Sequence, residues 1–185
     1  LEEAQKGQRR VFFVDAAHFV LGAFLGMIWC FRRLFIRTSS GRQRYNVLGA
    51  VETLDHEMVT VRTTESINAQ TICQLVRNID EKYPGESITL VLDNARYQRN
   101  WHVTELAAEL GIELLYLPTY SPNLNLIERV WKLVKSKCLR NRYYEDFGEF
   151  RGAIDSFLDS LNGSNKILLE SLLTEKFHIP IIPKT

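Results

Sequence analysis

An α/β protein, with a mixed sheet flanked by helices, is the fold class this sequence predicts. Three observations predict it. Apolar residues alternate through Tyr45–Glu52 and again through Met58–Thr63, on either side of a Leu-Asp-His-Glu turn at Leu54–Glu57, as in an antiparallel hairpin. Beyond residue 70 the period lengthens to that of helices, and helical segments alternate with short apolar runs. Strands interleaved with helices pair in parallel, with the helices covering the sheet.

The elements follow in order. Residues 1–10 are polar and read as a lead-in, and Val11–Val14 is a compact apolar run that reads as a buried strand ending at Asp15. Met27–Ile36, rich in aromatic and β-branched residues, reads as a further strand or ribbon, closed by the turn cluster Thr38–Gly41. Ile72, Leu75, Val76 and Ile79 share one helical face, and Pro84-Gly85 ends that helix. Ile88–Leu92 is a second buried strand, stopped by Asp93-Asn94. Val103, Leu106, Ala107 and Leu110 define a second helix, with Gly111 as its C-terminal cap. Ile112–Leu117 is a strand halted by Pro118, and Ile127, Val130, Trp131 and Val134 mark a third helix. Phe147–Leu161 and Lys166–Leu173 complete the helices before an extended tail at Ile179–Pro183.

The chain's 185 residues suit one domain, and 45% apolar content is enough for a core. No apolar run approaches the ~18 residues of a membrane span, so no membrane association is expected. Cys30, Cys73 and Cys138 are odd in number and widely spaced, as in reduced thiols of a cytosolic protein. Net charge is +1, but residues 1–44 hold eight basic residues against three acids, and residues 129–142 hold six against none. A near-neutral total thus conceals two basic patches.

Three acids stand out. Asp15 follows Val14 and precedes Ala16-Ala17, so its carboxylate is expected to be enclosed and to need a charged partner or a metal. Asp93 ends a strand of the parallel units, where ligands collect in such folds, although Asp93-Asn94 also fits an Asx turn. Glu128 lies in the first turn of the third helix, three residues after Asn125, and this pair also fits a capping box. Three carboxylates from separate elements are what a protein needs to hold hard divalent ions beside a phosphodiester.

The segments Val-Phe-Phe-Val-Asp-Ala-Ala-His-Phe, Val-Leu-Asp-Asn-Ala and Leu-Pro-Thr-Tyr-Ser-Pro-Asn-Leu-Asn-Leu-Ile-Glu-Arg-Val-Trp resemble the DDE-type transposases of the mariner-like superfamily, above all its bacterial insertion-sequence branch. The resemblance spans roughly residues 10 to 142, with 34 residues between Asp93 and Glu128. It implies a ribonuclease-H-like fold, a mixed five-stranded sheet flanked by helices, with 11–142 as catalytic domain and 143–185 as helical extension and tail. It implies Asp15, Asp93 and Glu128 as catalytic, metal-binding triad for two Mg²⁺, with Mn²⁺ as substitute. The implied activity is metal-dependent DNA cleavage and strand transfer at transposon ends. Two features depart from the family pattern: Ala16 stands where many relatives have a second acid, and Ala95–Arg99 lacks a His that many carry. The family's N-terminal helix-turn-helix region has no counterpart, since strand-like sequence begins by Val11. The chain alone is therefore expected to bind DNA with little end-specificity.

Lys132 and Lys135 follow Glu128 at i+4 and i+7 on one helical face, and Arg129 and Arg140 add charge nearby. These four are the expected DNA contacts, with Arg32, Arg33, Arg37, Arg42 and Arg44 as a second surface. The i+4 spacing also fits a plain Glu128–Lys132 pair. Asn94, His18 and Tyr120 are weaker candidates bordering the site; three residues along a strand puts His18 on the face opposite Asp15. Trp131 reads as core. The expected partners are transposon-end and target DNA and a second copy on DNA, without a small-molecule cofactor, in the bacterial cytoplasm and at the nucleoid. Two other readings remain open: a catalytically idle, transposon-derived DNA-binding protein, and another ribonuclease-H-like nuclease.

Overall fold

Five strands form one mixed sheet in the order β3-β2-β1-β4-β5: β1 (Arg10–Val20), β2 (Arg44–Glu52), β3 (Met58–Thr63), β4 (Ile88–Leu92) and β5 (Glu113–Tyr116). The structure is a computed structural model and describes residues 3, 6–22, 31, 43–118 and 124–173. The ribbon expected at Met27–Ile36, the turn cluster Thr38–Gly41 and the tail at Ile179–Pro183 lie outside the described residues. The first three strands pair antiparallel, whereas β1–β4 and β4–β5 are parallel, so the predicted fold class is borne out.

β1 is longer than its sequence suggests. The apolar run predicts a strand that ends at Asp15, but β2 keeps pairing with it as far as Val20↔Arg44. β4 pairs only from Arg10↔Ile88 to Phe13↔Val91. Asp15 is therefore mid-strand for one neighbour and beyond the end of the other.

Side chains alternate across the sheet, and each face has its own core. Phe12, Val14, Leu48 and Ala50 point to one side, where α1 (Ala69–Lys82) and α2 (Trp101–Glu109) cover them. Asn68 caps α1 with Thr71 in a reciprocal capping box. Gly111 closes α2 at a φ of 68°, a left-handed geometry that glycine adopts without strain. Phe13, Ala17, Phe19, Val47 and Val51 face the other side, toward α3 (Ile127–Val134), α4 (Phe147–Ser160) and α5 (Lys166–Leu172). A π-helical segment, Lys135–Leu139, prolongs α3.

The C-terminal helices are tied to the meander by polar contacts. Arg62 of β3 pairs with Asp155 and Asp159, and the Tyr45 hydroxyl donates to Asp155. On the edge strand β3, the Asn162 side chain accepts from the Met58 N–H at 2.7 Å and donates to the Met58 carbonyl at 2.8 Å. Among the described residues no helix is long and apolar enough to cross a membrane, and Cys73 and Cys138 are free and buried.

α3 meets the sheet at Gly49, the register partner of Asp15. A Cβ at Gly49 would lie 2.6 Å from Trp131 Cη2 and 2.8 Å from Cζ2, well inside contact distance. Isolated glycines in strands often mark such an approach. Gly49→Ala should cost about 1–3 kcal/mol by forcing ring and sheet apart. Gly152→Ala, on the exposed side of α4 with nothing within 4 Å, should instead gain about 0.5–1 kcal/mol. Urea denaturation of both variants measures the contrast; a neutral Gly49→Ala would refute the close packing of Trp131.

Candidate active site

Two residues past the last β1–β4 pair stand Asp15 and Asp93. By strand alternation Asp15 leaves β1 on the side of Phe13, the side that α3 covers. Asp93 follows β4 directly and is exposed. The next residue, Asn94, has a φ of 77°, a left-handed conformation that asparagine tolerates better than most residues. The chain therefore turns sharply away after the carboxylate. The Ala95 N–H donates to Asp93 Oδ1 at 3.3 Å and to Gln98 Oε1 at 3.1 Å, so the Asx turn read from the sequence is present. It uses one oxygen in a long bond and leaves the other to solvent.

Glu128 reaches the site from the first turn of α3, half-buried. The capping-box alternative does not hold: the cap position is Leu126, and no side chain caps the helix. Asn125 turns its amide into the sheet instead, with Nδ2 donating to the Val14 carbonyl at 3.2 Å. That bond joins the start of Glu128's helix to the residue before Asp15. The sequence reading missed this because spacing along a helix cannot report a contact made 111 residues away.

Burial is the main cause that pushes the Asp15 carboxyl up, from its ordinary 3.8 to about 6. The Ala16 backbone N–H pulls the other way, while the charges of Asp93 and Glu128 add to the rise. The sheet and α3 therefore bring all three acids within electrostatic range of one another. The Trp131 indole lies near enough to lower the Asp15 pKa slightly, yet its buried N–H has no partner at hydrogen-bond geometry. An electrostatic contact short of a hydrogen bond describes both facts.

Among the described residues none of the three acids forms an ion pair with Lys, Arg or His. Nor does any group of three or more His, Cys, Asp and Glu among them stand close enough to hold a metal ion. The acids are coupled without converging on one point. Such an oxygen-only, negatively charged set suits hard divalent ions that take one or two carboxylates and complete their shell with water and phosphate oxygens. It does not suit a closed protein cage.

Of the basic residues, Lys132 is exposed on α3 and Lys135 half-buried at its end. Arg129 is half-buried, and its Nη1 donates to the Leu172 carbonyl at 3.3 Å, toward α5. Arg140 is exposed, but the π-helical segment before it changes the helical phase, so it does not prolong the row of Glu128 and Lys132. His18 is exposed on the face opposite Asp15, as its spacing predicts, with Nδ1 2.7 Å from Asn46 Oδ1. Tyr120, Arg32, Arg33, Arg37 and Arg42 lie outside the described residues. Tyr97 escaped notice in the sequence, where nothing but its place four residues after Asp93 marks it. Burial, then the charges of Asp93 and Asp15, push its phenol up to about 12.

The family model described as "DDE superfamily endonuclease" matches residues 10–151. The chain is 34% identical over 79 residues to the uncharacterized protein y4pE/y4sA of Sinorhizobium fredii (strain NBRC 101917 / NGR234), which is 42% of this chain and 53% of that one. It is 23% identical over 159 residues to the insertion element IS630 uncharacterized 39 kDa protein of Shigella sonnei, covering 82% of this chain and 45% of that one. It thus spans about half the length of the curated relatives it matches. Among solved structures, the Mos1 transposase paired-end complex with left transposon end superposes with a TM-score of 0.63 at 13% identity, over 94% of this chain and 58% of that one. The catalytic core domain of BIV integrase gives 0.54 at 17% identity, over 87% and 94%. At these identities the structural likeness establishes the ribonuclease-H-like fold. With the family model spanning most of its length, the chain belongs to the DDE superfamily endonucleases, as a relative of the IS630 and mariner transposases.

Proposed function

We propose that this chain is the catalytic part of an insertion-sequence transposase, cutting DNA phosphodiesters and transferring strands at the element's ends. Asp15, Asp93 and Glu128 are its catalytic triad and its ligands for two Mg²⁺ ions, which Mn²⁺ can replace. The observation that carries this reading is a half-buried Asp15, raised by burial and by two neighbouring acids, with no cation among the described residues to offset it. A structural ion-pair network would supply such a cation. The solved relatives described as bound to a transposon end, to Mn and to Mg support DNA and a divalent ion as the natural partners.

Divalent ions bound there would supply activation of the attacking oxygen and neutralisation of charge developing on the phosphate. The protein's own part is to deliver oxygen ligands at fixed positions. Asp15 gives up its proton near neutrality and presents its carboxylate from a paired strand. Asp93 presents one oxygen from the turn that Asn94 makes possible. Glu128 projects from a helix that Asn125 holds against Val14, and the Trp131 ring keeps water from the buried side of Asp15. Lys132 and Lys135 then hold backbone phosphates without reading sequence, with Arg129 and Arg140 in supporting places. Residues 11–142 form the catalytic domain, and the following helices belong to the same unit. The protein works in the bacterial cytoplasm on nucleoid DNA, as a dimer when it pairs two ends.

Incubation of supercoiled plasmid with the chain and Mg²⁺ or Mn²⁺ should give nicked circles, and Asp93→Asn or Glu128→Gln should lower the rate at least a hundredfold. Nicking unchanged by Asp93→Asn would sink the triad. DNA retention without nicking, indifferent to the same substitution, would favour the idle DNA-binding protein.

Stability gives a second test. Folded Asp15 keeps its proton up to about pH 6, whereas its ordinary value is 3.8, so unfolding releases a proton between those values. The associated stability is present in full below about pH 4 and is lost as the pH rises to 6. Asp15→Asn should therefore match the wild type near pH 4 and exceed it at pH 7 by up to about 3 kcal/mol. Urea titrations across that range should show the gap opening with pH; a constant gap would contradict the burial of Asp15.

Mg²⁺ should raise the wild-type unfolding free energy by about 2.7 kcal/mol at about 100 times its Kd, and leave Asp15→Asn almost unmoved. Equal stabilisation of both proteins would place the ion elsewhere.

A further inference from the structure

Past the last β4 pair, β1, β2 and β3 continue as an overhang, three-stranded as far as His18, Asn46 and Thr63. On its face away from α3 opens a cavity of about 210 Å³ lined by His18, Arg44, Asn46, Thr64, Ser66 and Tyr97. His18 and Asn46 are register partners. Asn46 is only 5% exposed, and its amide is oriented: Nδ2 donates to the Glu65 carbonyl at 2.7 Å, which turns Oδ1 toward His18 Nδ1. A carbonyl oxygen only accepts, so Nδ1 carries the proton and Nε2 is left for an occupant of the cavity. Arg44 is exposed, and among the described residues it makes no ion pair and no carboxylate lines the cavity. A guanidinium and two hydroxyls without an acid are donors suited to a phosphate, and the imidazole joins them through Nε2 only in its doubly protonated form.

Tyr97 joins this cavity to the acids. Its side chain lines the cavity, and its phenol feels the charges of Asp93 and Asp15. Asp15 and His18 stand three positions apart on β1, about 10 Å along the strand, the axial rise of roughly three nucleotides of B-form DNA. Asp15 and His18 leave opposite faces of β1, so a DNA strand crossing the carboxyl end of the sheet would meet the acids and then the cavity. We propose that this cavity is a subsite for a backbone phosphate of the DNA strand, roughly three nucleotides from the bond to be cut. The proposal rests on the reading of the chain as a DNA-cutting enzyme.

The test is fluorescence anisotropy of the full chain with a labelled 20-base-pair duplex and its single strand, in Ca²⁺, from 50 to 200 mM KCl. Arg44→Ala should bind about five- to tenfold more weakly at low salt, with a log–log salt slope shallower by about 0.7–0.9. Arg44→Lys should keep the slope. Ser66→Ala removes a hydroxyl without charge and should cost about two- to fivefold at unchanged slope. Wild-type behaviour of Arg44→Ala, or no measurable wild-type binding, overturns the proposal. So does a loss confined to Arg44→Ala with none in Ser66→Ala and His18→Ala, which would mean diffuse charge attraction. Inorganic phosphate that perturbs the His18 NMR signals while DNA binding ignores Arg44 would reveal a free-anion site, and the DNA subsite falls. Plasmid nicking by wild type and Asp93→Asn keeps the two questions apart: if both nick equally the enzyme reading fails, whatever Arg44 does.

Discussion

Helix α3 touches the sheet where Gly49 leaves room for the Trp131 ring, and the geometry of the acids depends on that contact. Gly49 sits across from Asp15 in the β1–β2 register, so the ring covers the neighbourhood of that carboxylate. The same helix carries Glu128 one turn earlier. Asn125 adds the second fixed point by holding the Val14 carbonyl. A helix anchored at two places cannot slide or rotate without breaking a buried contact, and so Glu128 keeps its bearing on Asp15. The arrangement has an energetic cost: it encloses a carboxylate among like charges, which a protein selected only for stability would avoid.

Much of this was legible in the sequence. The change of period after residue 70 is a local signal, and it predicted both the parallel units and the helices that cover them. Asp93 was legible because strand ends show as the last residue of an apolar run. The extent of β1 was not, since its second half is paired by β2 alone and carries ordinary alternation with a histidine and two alanines. Glu128 shows the limit most clearly. Asn125 and Glu128 have the spacing of a capping box, and only the fold reveals that the asparagine has a stronger use across the sheet. Tyr97 and Asn46 were invisible for the same reason, because their meaning lies in which strand each one faces.

The two faces of the sheet divide the work. The side under α3 is apolar almost to the acids, and its partners are a helix, a π-helical segment and the C-terminal helices. The opposite side stays apolar under α1 and α2 but turns polar at the end of the overhang, where His18 and Asn46 meet. On the proposed reading, chemistry and strand-holding sit on either side of one sheet edge, with β1 contributing to both. Odd positions of that strand serve the acids and even positions serve the cavity, so a one-residue slip of register would exchange them.

The Asn162 contact with Met58 has a consequence at the level of many molecules. β3 is an outer strand, and an open outer strand offers a template on which another chain can add. The Asn162 amide fills both backbone groups of Met58 at the start of that strand, and Arg62, drawn to Asp155 and Asp159, sets charge along it. Proteins that crowd onto one DNA molecule reach high local concentrations there. On the proposed reading, a guarded sheet edge would let copies of this chain gather on DNA without zipping together through their backbones.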